Sequence, residues 1–113
     1  MSDNIIDITE RTIQSHIKKI RPPVEMRDRL DIGYTYKKEI IEIYERQPIW
    51  GKENAFENYP YAKIKYVKTH HKWKLYWLRA SGKWESYNPF SESSNLEKML
   101  SVIEEDALGC FKG

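Results

Sequence analysis

Between Tyr61 and Trp84 the chain carries seven cations, Lys63, Lys65, Lys68, Lys72, Lys74, Arg79 and Lys83, and no carboxylate. Threaded through them are Tyr66, Trp73, Tyr76 and Trp77. Ammonium groups neutralise phosphates and aromatic rings offer faces on which unpaired bases stack, so the mixture suits RNA or single-stranded DNA. Through charge alone it would also suit an acidic protein. The whole chain has a net charge of only +2; the segment holds +7, and the remaining twelve cations and seventeen acids sum to −5. An ordinary use of the same residues competes with the functional one. An antiparallel sheet commonly leaves one face in water, where lysines pair across strands with carboxylates such as Glu39, Glu42 and Glu85.

Other chemistry is less well supplied. His70 and His71 are adjacent in an expected turn, where their side chains diverge, and no Cys, Asp or Glu stands near them at ligand spacing; no metal and no cofactor is expected. A metal-independent ribonuclease of the toxin type would use Arg79 against developing phosphate charge, with His70, His71 or Glu85 transferring protons. A phosphate-binding glycine loop, a Gly-x-Ser-x-Gly elbow and a His-Glu-x-x-His pair are all missing, which places an enzyme behind a non-enzymatic binding module. A third reading is a protein-interaction or self-associating domain, with Trp50, Phe56, Tyr59 and Tyr61 as an aromatic patch. Cys110 is the only cysteine. It follows a helix end without a basic neighbour, so a buried, inert thiol is expected, and no disulfide framework exists. Arg27, Arg29 and Asp31 point to an ion pair at the entry of a strand.

These residues must be positioned by a single domain over residues 1–113, since a chain of this length buries a modest core without staples. With 40% apolar and 32% charged residues the composition is that of a folded globular chain rather than a disordered one. No apolar run approaches membrane-spanning length and MSDNIIDITE lacks the regions of a signal peptide, so a cytoplasmic protein is expected, with no membrane partner. Asp7 and Glu10 have the spacing of a capping box, and Ile13, Ile17 and Ile20 form one apolar stripe of a helix that Arg21-Pro22-Pro23 ends. LDIGYTY alternates as a half-buried strand; Lys37-Lys38 turns the chain into a second strand, EIIEIYER, ending near Pro48. Gly51 to Pro60 reads as an irregular loop. Ala62 to Lys68 and Lys72 to Arg79 are strands joined across Thr69-His70-His71, and Ala80-Ser81-Gly82 leads into Lys83 to Tyr87. A last helix starts at Ser93, Ser94 or Asn95, with Leu96, Met99, Leu100 and Ile103 on one face and Gly109 as its C-terminal cap. The fold class is α+β: an antiparallel meander of about five strands flanked by an N-terminal and a C-terminal helix.

Alternation along the two central strands sorts their side chains. Ile64 and Tyr66 oppose Lys63, Lys65 and Val67; Trp73, Leu75 and Trp77 oppose Lys72, Lys74, Tyr76 and Leu78. Helices cover the first set. The second forms a basic face of Lys63, Lys65, Lys72, Lys74 and Lys83 around Tyr76 and Tyr87, and with Arg79 these are the candidate binding residues.

Several separated stretches carry a resemblance: RPP (Arg21 to Pro23), RDRLDIGY (Arg27 to Tyr34), IYERQPIW (Ile43 to Trp50), AKIKYVKT (Ala62 to Thr69), WKLYWLRASGKW (Trp73 to Trp84) and GCFKG (Gly109 to Gly113). Together they resemble a family of small bacterial proteins known only as a domain of unknown function. The resemblance spans nearly the whole chain. It implies a bacterial, cytoplasmic, stand-alone domain and transfers no activity and no catalytic residue.

Overall fold

The computed structural model describes residues 2–111, with side chains from Ile8 onward. Helix α1 runs Ser2–Ile20, and strands β1 (Asp31–Lys37), β2 (Ile40–Pro48), β3 (Phe56–Val67), β4 (Lys72–Leu78), β5 (Trp84–Ser86) and β6 (Glu92–Ser93) lead to helix α2, Leu96–Glu105. All pairings are antiparallel. The first four strands form a meander, and β5 and β6 share the far edge of β4: β5 pairs with Tyr76 to Leu78, β6 with Trp73 and Lys74. The α+β class and the two flanking helices are as expected; the sheet has six strands rather than about five.

Both helices lie on one side because their apolar stripes need the same cover. Ile13 and Ile17 of α1 and Leu96, Met99, Leu100 and Ile103 of α2 are buried with Ile32, Ile41, Ile43, Ala62, Ile64, Trp73 and Leu75 of the sheet. Asn95 caps α2, its Oδ1 accepting the Lys98 N–H at 3.1 Å.

Local departures have local causes. Helix α1 passes through the expected cap at Asp7, whose side chain lies outside the described residues. Helix α2 stops at Asp106 rather than Gly109, because aspartate tolerates the left-handed conformation (φ 45°) and its Oδ1 also accepts the Phe111 N–H at 3.0 Å. The β1–β2 turn is Lys38-Glu39, both left-handed, one residue later than expected. The segment expected as a loop from Gly51 is strand from Phe56, pairing with β2 out to Pro48. Pro60 sits inside this strand, where a shift of register between Ile43 and Tyr44 leaves Tyr61 as the extra residue, and bulges tolerate proline. Beyond Arg46 and Ala62 neither strand has an outer neighbour, so β2 and β3 continue as a two-stranded arm tipped by Trp50.

Candidate functional site

The pairing register places the candidate residues without ambiguity. Ile41, Ile43, Ala62, Ile64, Trp73 and Leu75 share the helix-covered side, and the residues between them share the other. On that second side two rows cross the sheet: Thr35, Glu42, Lys63, Tyr76 and Ser86, then Lys37, Ile40, Lys65, Lys74 and Glu92. Lys72 follows, opposite Val67. None of these side chains is buried, in contrast to the core side, so no helix of the described residues roofs this face.

Its charges are unevenly satisfied. Lys72 reaches Glu92 at 3.5 Å. Lys63 holds its ammonium over two rings, 5.5 Å from the Tyr76 centroid and 5.2 Å from that of Trp84, a stabilising placement for a partly desolvated cation. Lys65 and Lys74 stand directly opposite each other. Among the described residues neither has a carboxylate within ion-pair distance. Like charges in register across a ladder are destabilising; Ile40 on the other flank of Lys65 contributes no counter-charge, and Glu92, in register with Lys74 on its far flank, is engaged by Lys72 and offsets only part of the repulsion. Tyr44 lies on the same side with its ring over Gly33, where a Cβ would come within 2.5 Å of the phenol oxygen. At the root of the arm Arg46 covers the Phe56 ring at 4.4 Å.

The open face therefore gathers Lys63, Lys65, Lys72, Lys74 and Tyr76 from the candidate set. Three candidates go elsewhere. Tyr87 is only 2% exposed and packs on Phe111, ring centroids 4.9 Å apart, because Ser86 pairs with Tyr76 on the open face and alternation turns the next side chain into the core. Arg79 and Lys83 belong to the helix-side alternation. Leu78 pairs with Trp84, so the next pair outward, closed by the Arg79 N–H to the Lys83 carbonyl at 2.9 Å, points the opposite way, and Arg79 meets Glu85 at 3.7 Å. The same register puts Trp84 on the open face, a residue that strand patterning missed because the parity depends on the length of the turn before it. Arg46 and Tyr44 were likewise missed; they follow from the alternation of β2.

The other constellations separate. Arg79 and Glu85 sit at one end of β4, and His70 and His71 at the other, about 20 Å away along seven extended residues, so the ribonuclease assignment has no common site. Of the aromatic patch, Trp50 is 97% exposed at the arm's tip and Phe56 and Tyr59 are partly exposed, but Tyr61, the bulge residue, is buried in the core. Burial, reinforced by Glu104, Glu45 and Asp106, pushes its phenol pKa far up. Burial also raises the Cys110 thiol, with Asp106 and Glu85 adding to it. Asp31 pairs with Arg21 through two hydrogen bonds of 2.9 and 2.7 Å, joining the end of α1 to β1; Arg27 instead donates to the Pro22 carbonyl. No helix of the described residues is long and apolar enough to cross a membrane.

A family model described as a domain of unknown function, DUF3024, matches residues 1–113. The chain belongs to the DUF3024 family. No curated protein and no solved structure matches it. The motifs on which the resemblance rested thus fall within one DUF3024 domain, in which WKLYWLRASGKW forms β4 and its turn into β5.

Proposed function

We propose that this DUF3024 domain is a non-enzymatic module of the bacterial cytoplasm that binds RNA or single-stranded DNA across the open face of its sheet. The observation that carries the reading is the in-register opposition of Lys65 and Lys74, without carboxylate partners among the described residues, on the side no helix covers. A polyanion laid across that face relieves the repulsion. Tyr76 and Trp84, steadied by Lys63, supply half-exposed rings for bases, and sequence-tolerant stacking of this kind needs no hydrogen-bond readout.

Fluorescence anisotropy with a labelled oligouridine tests this. With phosphate contacts from Lys63, Lys65, Lys72 and Lys74, affinity falls about 50-fold between roughly 50 and 200 mM salt. Equal binding by the Lys65→Glu, Lys72→Glu, Lys74→Glu variant overturns the proposal. Binding of polyglutamate in preference to oligouridine reassigns the face to an acidic protein. A second reading, an interaction domain, is favoured by the near-complete exposure of Trp50 at the tip of the arm. Light scattering that shows a concentration-dependent dimer, lost on Trp50→Ser, supports it, and a monomer at all concentrations removes its homomeric form.

A further inference from the structure

On the helix-covered side the last row of the sheet is only partly covered. Between α1 and the two turns at that end of the sheet lies a groove of about 750 Å3. This is within the size range of small-molecule sites. Its inner surface is aromatic: Tyr36 from β1, Tyr66 from β3 and Trp73 from β4. Trp73 is buried and backs Tyr66, the rings tilted at 56° with centroids 4.8 Å apart, while Tyr36 and Tyr66 remain half-exposed. Its lip is polar. Lys38 and Glu39 come from the β1–β2 turn, Lys68 and His71 from the β3–β4 turn.

Two features of the lip point to a ligand. Lys38, Glu39 and His71 are three of the five non-glycine residues with positive φ among the described residues, at 49°, 68° and 50°. Glycine or asparagine would fit these positions without strain, so the turns hold a lysine, a glutamate and a histidine against their backbone preference, and such outliers concentrate where side chains are needed. The lip also offers donors that no carboxylate of the lip engages. Glu39 is engaged by Lys68 at 2.8 Å and Glu10, on the α1 wall, by the Tyr34 hydroxyl. Lys38 and His71 have no carboxylate partner among the described residues. Flat aromatic surface inside, and the Lys38 ammonium and the His71 imidazole at the mouth, together describe a site for a planar ring bearing an anion.

We propose that this groove binds one nucleotide, its base against Tyr36 and Tyr66 and its phosphate among Lys38, Lys68 and His71. The nucleotide is either free or the 5′-terminal residue of a strand. The site lies on the other side of the sheet from the open face and does not depend on the reading given for it.

Adenosine 5′-monophosphate titrated into the 15N-labelled protein, followed by amide and indole resonances, tests the assignment. The nucleotide shifts Tyr66, His71 and the Trp73 indole, and adenosine or inorganic phosphate alone binds about tenfold more weakly. Lys38→Gly and His71→Gly keep the turns, since glycine accepts left-handed φ, and each lowers affinity about fivefold or more. Tighter binding of a 5′-phosphorylated oligouridine than of the mononucleotide, confined to the same resonances, identifies a strand end; equal binding identifies the free nucleotide. The Lys65→Glu, Lys72→Glu, Lys74→Glu variant retains mononucleotide binding, which separates failure here from failure of the open-face proposal. Absence of shifts at the groove at about 10 mM nucleotide, or affinity unchanged in both glycine variants, overturns the inference.

Discussion

Replacing Lys65 by glutamate turns the most unfavourable contact of the open face into a favourable one, and its two consequences have opposite signs. Side chains directly opposed across an antiparallel ladder have Cβ atoms about 5 Å apart, and the flexible stems of Lys65 and Lys74 let their ammonium groups settle near 6 Å. Two unit charges at that distance in water repel by about 0.7 kcal/mol, and screening at physiological ionic strength roughly halves this. Changing one sign replaces about 0.3 kcal/mol of repulsion by a similar attraction. Glu42 stands diagonal to position 65, beside Lys63, and removes part of the gain. About 0.5 kcal/mol remains at physiological salt and roughly twice that at low salt. For a domain of this size the melting temperature of Lys65→Glu rises by about 2 °C, and by about 4 °C at low salt.

Nucleic-acid binding moves the other way. One phosphate contact is lost and a repulsive charge takes its place, so the affinity for oligouridine falls about tenfold and the slope of log K against log salt weakens by about 0.7 or more. Thermal melts by circular dichroism at two ionic strengths, paired with anisotropy titrations on the same preparation, read both quantities. A Lys65→Gln variant gives half the stability change and locates the Coulombic share. A lower melting temperature for Lys65→Glu would refute the register argument. A higher one with unaltered affinity and salt slope would show that the face is merely solvated, and the proposed function would fall.

Two further outcomes follow from the ion pair and the thiol. Asp31→Asn removes the link between α1 and β1 and costs about 1 kcal/mol at neutral pH, discounted because Arg21 is 36% exposed. The Arg21 hydrogen bonds hold the Asp31 carboxyl below its ordinary pKa of 3.8, so the stabilisation is full above that value and disappears as the pH falls through the lower folded one. Urea melts of parent and variant therefore differ at pH 7 and converge in acid; a constant difference across that range would contradict the assignment. Cys110, its thiol raised by burial above the ordinary 9.0, alkylates with iodoacetamide more slowly at pH 7 than a free thiol, and its rate rises with pH at higher values than that of a free thiol. Rapid labelling at pH 7 would show that the C-terminal turn opens.

Much of this architecture is legible in the sequence because its signals are local. The spacing of Leu96, Met99, Leu100 and Ile103 behind Asn95 describes α2 and its cap, and the alternation of lysines with Ile64, Trp73 and Leu75 describes a two-sided sheet. What is not legible depends on partners distant in the chain or on counting through turns. Pro60 reads as a breaker, yet β2 holds the segment from Phe56 as strand, and a bulge at Tyr61 absorbs the proline. Strand β6 is two residues long, too short for any period. The sides taken by Arg79, Lys83 and Trp84 depend on where the β4–β5 hairpin closes, and one residue of register exchanges the faces. Tyr87 takes the core side by the same parity, one residue after Ser86.

The places where this chain breaks local rules lie together. Its core is apolar, α2 is capped by the residue type that caps helices, and the bulge falls where a proline needs it. The conflicts are the Lys65–Lys74 opposition and the left-handed Lys38, Glu39 and His71, and all of these sit at the end of the sheet formed by the β1–β2 and β3–β4 turns. Lys65 and Tyr66 are consecutive residues, one facing the open side and the other the groove, so the two proposed surfaces meet around that edge. A sequence under selection for stability alone would place glycine or asparagine in the first turn and a carboxylate at position 65, each a single substitution of small gain. Retaining the cationic and strained alternatives at one edge is the pattern expected where a ligand supplies the missing interactions.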